Sequence, residues 1–225
     1  MSCCGFFSTS IGKKIILSVT GLFLVIFLLI HLSLNLLTLV GDDGHVFNVA
    51  SHFMGTNPAM KLLEFVLAAG FIFHIFYASY LTLKNQSARP VKYAVVDQSE
   101  SSSWSSRNMY ITGGLVLAFL VMHLINYYYV IKCTDEIESG KTSEFKLVTD
   151  LFQPEYWYYV VVYVVGFILL GLHLNHSFQS GFQTLGFNNK IWLPRLKFIG
   201  SVYTLIVVVG FTIIPLYFFI AALIK

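Results

Sequence analysis

The sequence predicts an all-α bundle of five membrane-spanning helices, on three observations. Hydrophobic residues make up 56% of the chain. Charged residues make up 11%, against about 25% in a soluble domain. Five apolar runs, near 15–40, 58–83, 109–131, 156–180 and 198–224, are long enough to cross a hydrocarbon core. A crossing takes about 20 helical residues. Short connections join the runs, so residues 1–225 read as one transmembrane domain.

Span one follows Lys13 and Lys14. It is too long for a signal-peptide core and no small-residue cleavage site follows, so it is expected to be retained. Pro58 opens span two, where its missing N–H costs nothing. Lys84–Arg107 is polar and serine-rich (SESSSWSS) and reads as an irregular connection to span three. Pro154 lies just before span four, and Pro215 inside span five predicts a kink. Aromatic residues gather at the span ends: Tyr127, Tyr128, Tyr129, Tyr156, Trp157, Tyr158 and Tyr159 at one level, Trp104 and Trp192 at the other. That is the pattern of an interfacial belt.

The net charge of +3 conceals an asymmetry. Nine basic residues lie at the N-terminus and after spans two and four: Lys13, Lys14, Lys84, Arg89, Lys92, Arg107, Lys190, Arg195 and Lys197. Only Asp97 and Glu100 oppose them, whereas segment 132–155 holds six acids beside Lys132, Lys141 and Lys146. Lys/Arg bias sets topology, so the N-terminus is expected in the cytoplasm and the C-terminus outside. The basic residues sit at span ends with no folded domain to present them, which argues against nucleic acid as a partner and for membrane lipid. Cys3 and Cys4 fall on the expected inner side and Cys133 on the outer, so they form no disulfide framework and read as incidental thiols.

Spans one and three resemble each other. TGLFLVIFLLIH ends at His31 and TGGLVLAFLVMH ends at His123, with Thr20-Gly21 and Thr112-Gly113 at the same spacing. Leucine and isoleucine matches are cheap in apolar helices, so Thr, Gly and His carry the information. Spans one and two are therefore expected to correspond to spans three and four.

Each of the first four spans carries a histidine within it: His31, His74, His123 and His173. An ionisable side chain inside a membrane helix is costly and usually functional. His31 and His123 lie nine and eight residues from the outer ends of their parallel spans. His74 and His173 lie nine and seven residues from the inner ends of theirs. At 1.5 Å rise per residue this gives two layers roughly 10 Å apart. Two imidazoles from different helices at one depth can bind iron from opposite faces of a porphyrin, so the four read as axial ligands of two b haems. Each ring's other nitrogen should donate to a backbone or hydroxyl partner.

Gly21 and Gly113 stand ten residues inward of His31 and His123, about 15 Å along the axis and near the inner layer. A glycine there lets a helix pass close to a flat macrocycle, or serves ordinary small-residue helix packing. His176 lies nearer the inner surface and could meet a haem carboxylate or a partner subunit. His45 and His52 are expected in the outer loop, flanking the mouth of the outer layer, and Glu64 lies six residues into span two. Glu64 could simply snorkel. It also stands where a quinone would exchange protons.

These residues resemble the dihaem cytochrome b membrane subunit of succinate dehydrogenase and fumarate reductase, of the five-span type usually linked to menaquinone. The matching segments are TGLFLVIFLLIHLSLN, HVFNVASHFMGTNPAMKLLEF, FHIFYASYL, VMHLINYY and LHLNHSFQSGFQTLG. In the last, the spacing to Gly186 selects His173 over His176. The resemblance spans nearly the whole chain. It implies two haem b groups, with His31 paired to His123 and His74 to His173. It implies quinone as substrate, a flavoprotein subunit for the succinate–fumarate chemistry and an iron–sulfur subunit on the cytoplasmic face. It implies a multi-pass protein of the bacterial cytoplasmic (inner) membrane and is compatible with a dimer of the complex. No dicarboxylate catalysis is expected from this chain alone. Some members carry an acid two residues before the fourth ligand; here that position is Gly171, so no proton relay is carried over. The rival readings are the cytochrome b of a hydrogenase or formate dehydrogenase, and a non-haem transporter. A transporter usually needs mid-membrane carboxylates, and none lies at the centre here.

Overall fold

In the computed structural model, residues 5, 9–87 and 107–224 are described. Five helices are long and apolar enough to cross a membrane, which makes the chain a polytopic all-α membrane protein by helix length and hydropathy. Cys3, Cys4, Arg89, Lys92, Asp97, Glu100, Trp104 and most of the serine-rich connection lie outside the described residues.

Span one is α1, Ser10–Leu36, with a 3-10 turn at Leu37–Leu39. It starts five residues before the apolar run because the Thr9 side chain caps it, accepting from the Gly12 N–H at 3.0 Å. A second helix, α2 (His45–Thr56), occupies what the sequence presents as a loop. The Asp42 carboxylate supports its start by accepting from the Val46 N–H at 2.7 Å. Asn57 Oδ1 then accepts from the Ala59 N–H at 2.9 Å, and Pro58 opens α3, Pro58–Ser87, which is span two.

Span three is α4, Met109–Cys133. Immediately after His123 it widens into a π-helical stretch, Leu124–Tyr129, before a last α turn at Val130–Cys133. Such bulges are rare and recur at functional sites. A short helix α5, Glu144–Asp150, interrupts the next connection, with Ser143 as its N-cap. Span four is α6, Trp157–Thr184, preceded by a 3-10 turn at Pro154–Tyr156. It ends at Gly186, whose φ of +100° lets the chain turn. Span five is α7, Trp192–Ile224. It begins six residues earlier than hydropathy suggests, because Asn189 Oδ1 accepts from the N–H groups of Ile191 and Trp192 at 3.0 and 2.8 Å. The helix continues through the buried Pro215.

α6 is the hub, packed on α7, α1 and α4. Seven of its eight buried residues, Val160, Tyr163, Phe167, Gly171, Leu174, Phe178 and Gly181, recur every three or four positions and form one stripe, with Gly166 beside it. In lipid no hydrophobic force draws helices together, so close contact must do it. Glycines provide that contact on three sides. Gly166 receives the Phe119 ring of α4, Gly171 receives Val208 of α7, and Gly181 receives Leu22 of α1. A Cβ on Gly171 would meet Val208 at 2.5 Å, so this position has no room for an acidic side chain. α3 packs mainly on α1, and α4 mainly on α6. The bundle is thus a central α1–α6–α7 layer with α3 and α4 on its flanks.

At one end, α2 and α5 form a clasp. Asn48 Oδ1 accepts from the Phe145 N–H at 2.9 Å, and the Phe145 ring lies flat against Gly44. Gly44 has φ +82° and no space for a Cβ.

Candidate functional site

The helix faces that meet across the bundle bring the four histidines together in two layers. In the first, the rings of His31 on α1 and His123 on α4 have centroids 5.8 Å apart and planes at 88°. A metal held by two imidazole nitrogens at about 2 Å each places the ring centroids roughly 6 Å apart. The two rings thus meet at a separation comparable with that distance. Aromatic rings fix both imidazoles. Phe27 stacks on His31 at 5.2 Å and Phe211 of α7 approaches it at 5.7 Å. Tyr127, Phe119 and Tyr163 surround His123 at 5.1, 6.2 and 6.2 Å. The π-helical turn holds Asn126 and Tyr127 in this cluster, where Asn126 Nδ2 donates to the Tyr163 hydroxyl at 3.0 Å. His123 Nδ1 is buried with no hydrogen-bond partner. A buried polar atom left alone costs about 1–3 kcal/mol, and the backbone or hydroxyl partner expected for each ring is not met at this nitrogen, which the π-helical turn and its aromatic rings enclose instead.

In the second layer, His74 on α3 and His173 on α6 lie within electrostatic range of each other. Each is held from behind by a Thr-Gly pair. Thr20 Oγ1 is 3.1 Å from His74 Nδ1, and Thr112 Oγ1 is 3.5 Å from His173 Nδ1. A Cβ on Gly21 would lie 3.4 Å from His74 Cε1, and one on Gly113 would lie 3.3 Å from His173 Cε1. The correspondence of spans one and two with three and four is thus visible in contacts: α1 seats the histidine of α3 as α4 seats that of α6. Because Gly21 and Gly113, which touch His74 and His173, lie ten residues from His31 and His123, the layers are about 15 Å apart along the helices, more than the roughly 10 Å expected from the span ends.

The donor set separates two kinds of metal centre. Among the described residues, no group of three or more His, Cys, Asp and Glu could hold a metal ion. A bare ion such as zinc takes three or four protein ligands. A metal whose four equatorial donors come from a macrocycle needs only two axial ones from the protein. Two histidine pairs, one walled by aromatic rings and the other seated against Gly21 and Gly113, fit the second case better than the first.

The other candidates are more scattered. Glu64 pairs with Lys132 at 3.0 Å, joining α3 to the end of α4, with both side chains 31% exposed. His45 lines an apolar cavity of about 570 Å³ with Leu34, Val46, Val49 and Phe53. His52 lines another, of about 420 Å³, with Asn48, Ile137 and Glu144. Both histidines lie on α2 rather than in a loop, and Glu64 lines neither cavity. His176 stands one turn beyond His173 on α6 and is half-buried. Sequence reasoning passed over Thr20 and Thr112 as site residues, although their identical spacing to His31 and His123 was the available signal. Compared with known proteins, the chain matches no family model, no curated protein and no solved structure.

Proposed function

We propose that this chain is the dihaem cytochrome b membrane anchor of a succinate:quinone or quinol:fumarate oxidoreductase. The observation that carries the reading is the arrangement of four intramembrane histidines as two pairs from alternating helices, while no group of three or more His, Cys, Asp and Glu among the described residues could hold a bare metal ion. His31 with His123, and His74 with His173, would each hold one haem b. Bound haem b supplies reversible one-electron transfer and, with both axial positions taken by protein, binds no substrate itself. The chain's residues set the conditions. His31, His123, His74 and His173 would hold the two groups, the aromatic collar of Phe27, Phe119 and Phe211 walls the first layer, and the Thr-Gly pairs orient the histidines of the second.

The Lys/Arg bias supports a cytoplasmic N-terminus, and the family resemblance supports the inner membrane of a bacterium. The end carrying Lys190, Arg195 and Trp192 would then meet an iron–sulfur subunit, which a flavoprotein subunit would supply or drain of electrons. Quinone, with menaquinone the favoured form, would react at the membrane end of that chain of carriers.

The test is purification with the bound subunits, a reduced-minus-oxidised spectrum and pyridine haemochrome analysis. The expected result is two protohaems per chain together with a flavoprotein and an iron–sulfur protein. A ratio near one or zero defeats the dihaem reading, and hydrogenase or formate dehydrogenase subunits in their place redirect it.

Glu64 is the residue of this reading closest to proton chemistry at the end carrying α2. Its ion pair with Lys132 is partly exposed and worth at most about 1 kcal/mol. Glu64→Gln should therefore leave stability and haem content unchanged. It should slow quinone turnover by on the order of tenfold or more, as loss of a proton-transferring group does. Dicarboxylate turnover with an artificial dye should persist. Unaltered quinone turnover would remove Glu64 from the site.

A further inference from the structure

We infer that Thr20 and Thr112 are positioning residues, each accepting the Nδ1–H of one histidine and so leaving Nε2 as the unprotonated nitrogen. The inference rests on the dihaem reading for its purpose but on the hydroxyl geometry for its content.

A threonine hydroxyl has one proton to give and lone pairs to receive with. Thr20 Oγ1 lies 3.1 Å from the Ile16 carbonyl and 3.0 Å from the Leu17 carbonyl. Carbonyls only accept, so the Thr20 proton is committed to its own helix. The ring nitrogen 3.1 Å away on the other side must then be the donor. The same reasoning holds for His173. Thr112 Oγ1 donates to the Met109 carbonyl at 3.0 Å, so its proton too is committed to its own helix. The His173 Nδ1, 3.5 Å away, is then the donor.

A neutral imidazole carries one proton, so a protonated Nδ1 leaves the Nε2 lone pair for a metal. Gly21 and Gly113 complete the seat. Each lies against Cε1, the atom between the two nitrogens, so the ring edge is gripped at Nδ1 and Cε1 together. His123 Nδ1, in the other layer, has no such partner. The lock is a property of one layer only. A hydroxyl that merely glued helices together would also join α1 to α3 and α4 to α6. It would not act on the electronic character of an imidazole.

The experiment compares Thr20→Val, Thr20→Ser and Thr112→Val in the purified complex. It reads haem content, the midpoint potential of each haem component and the electron paramagnetic resonance of the oxidised form. A donated Nδ1–H makes imidazole a stronger ligand and favours oxidised iron. Thr20→Val should therefore raise one midpoint potential, leave the other in place and alter one low-spin signal. Thr20→Ser should restore both readouts. Thr112→Val should move the same component by less, because its contact with Nδ1 is longer, 3.5 Å against 3.1 Å. Full haem content with both potentials unmoved in Thr20→Val overturns the inference, as does failure of Thr20→Ser to restore what valine removes. Wild-type complex without haem would defeat the dihaem reading instead. The tautomer is then read by nitrogen-15 NMR of the haem-free chain. Protonated Nδ1 in wild-type His74, becoming mixed in Thr20→Val, supports the lock, and protonated Nε2 in wild type overturns it.

Discussion

Alanine at His31 or at His123 should remove one and the same haem component, and alanine at His74 or His173 should remove the other. The reason is that a bis-imidazole centre needs both ligands, so either loss empties the site. The double variant His31→Ala/His123→Ala should then match each single one, with haem per chain falling from two to about one and no further. Energies of residues acting as a unit do not add. The structure sharpens the expectation for the first layer, where the rings already stand 5.8 Å apart. His176→Ala should keep both components, since that ring lies a turn beyond His173. Difference spectra with haemochrome analysis decide it. Loss of the same component in His31→Ala and His74→Ala would break the layer assignment.

Much of this arrangement is legible in the sequence, for physical reasons. Spans show themselves because apolar runs of membrane length have few other uses, and all five appear as helices. The histidines show themselves because ionisable groups are scarce at such depth. Helix ends are less legible. The onset of α7 depends on Asn189 capping two N–H groups, a local bond that hydropathy does not register beside Arg195 and Lys197. The helix α2 is short and carries His45, Asn48 and His52, so its polar residues resemble those of a loop. The π-helical turn after His123 leaves no trace in composition, because LINYYY suits an α-helix equally well. Gly21 and Gly113 were legible as places of close approach, whereas the object approaching them was not. Which side chain fills a gap depends on how two helices face each other, and the repeated Thr-Gly spacing fixes only one of them.

Valine at Gly113 should empty the His74–His173 site while sparing the other. The heavy atoms that a Cβ at Gly113 would meet are the Cε1 and Nδ1 of His173, at 3.3 and 3.6 Å. Alanine there is tight but tolerable, asking the ring to give by a few tenths of an ångström. Valine adds two γ carbons where the ring stands, and its stiff χ1 leaves them little freedom to turn away. Overpacking of this kind costs about 1–3 kcal/mol, or roughly 5- to 150-fold in occupancy of any geometry that requires the original ring position. Gly21→Val should act the same way through His74, whose Cε1 lies 3.4 Å from the corresponding point. The neighbouring Gly114 supplies the control, since nothing lies within 4 Å of a Cβ there. Gly114→Val should retain both haem components and fold as wild type does. Ordinary helix packing would give another pattern, because a glycine that serves only a helix contact disturbs the bundle as a whole and lowers both components together. Selective loss of one component in Gly113→Val and Gly21→Val, with Gly114→Val unaffected, ties these glycines to the histidine seats. Retention of both components in Gly113→Val would mean that His173 does not use this seat when its ligand is bound.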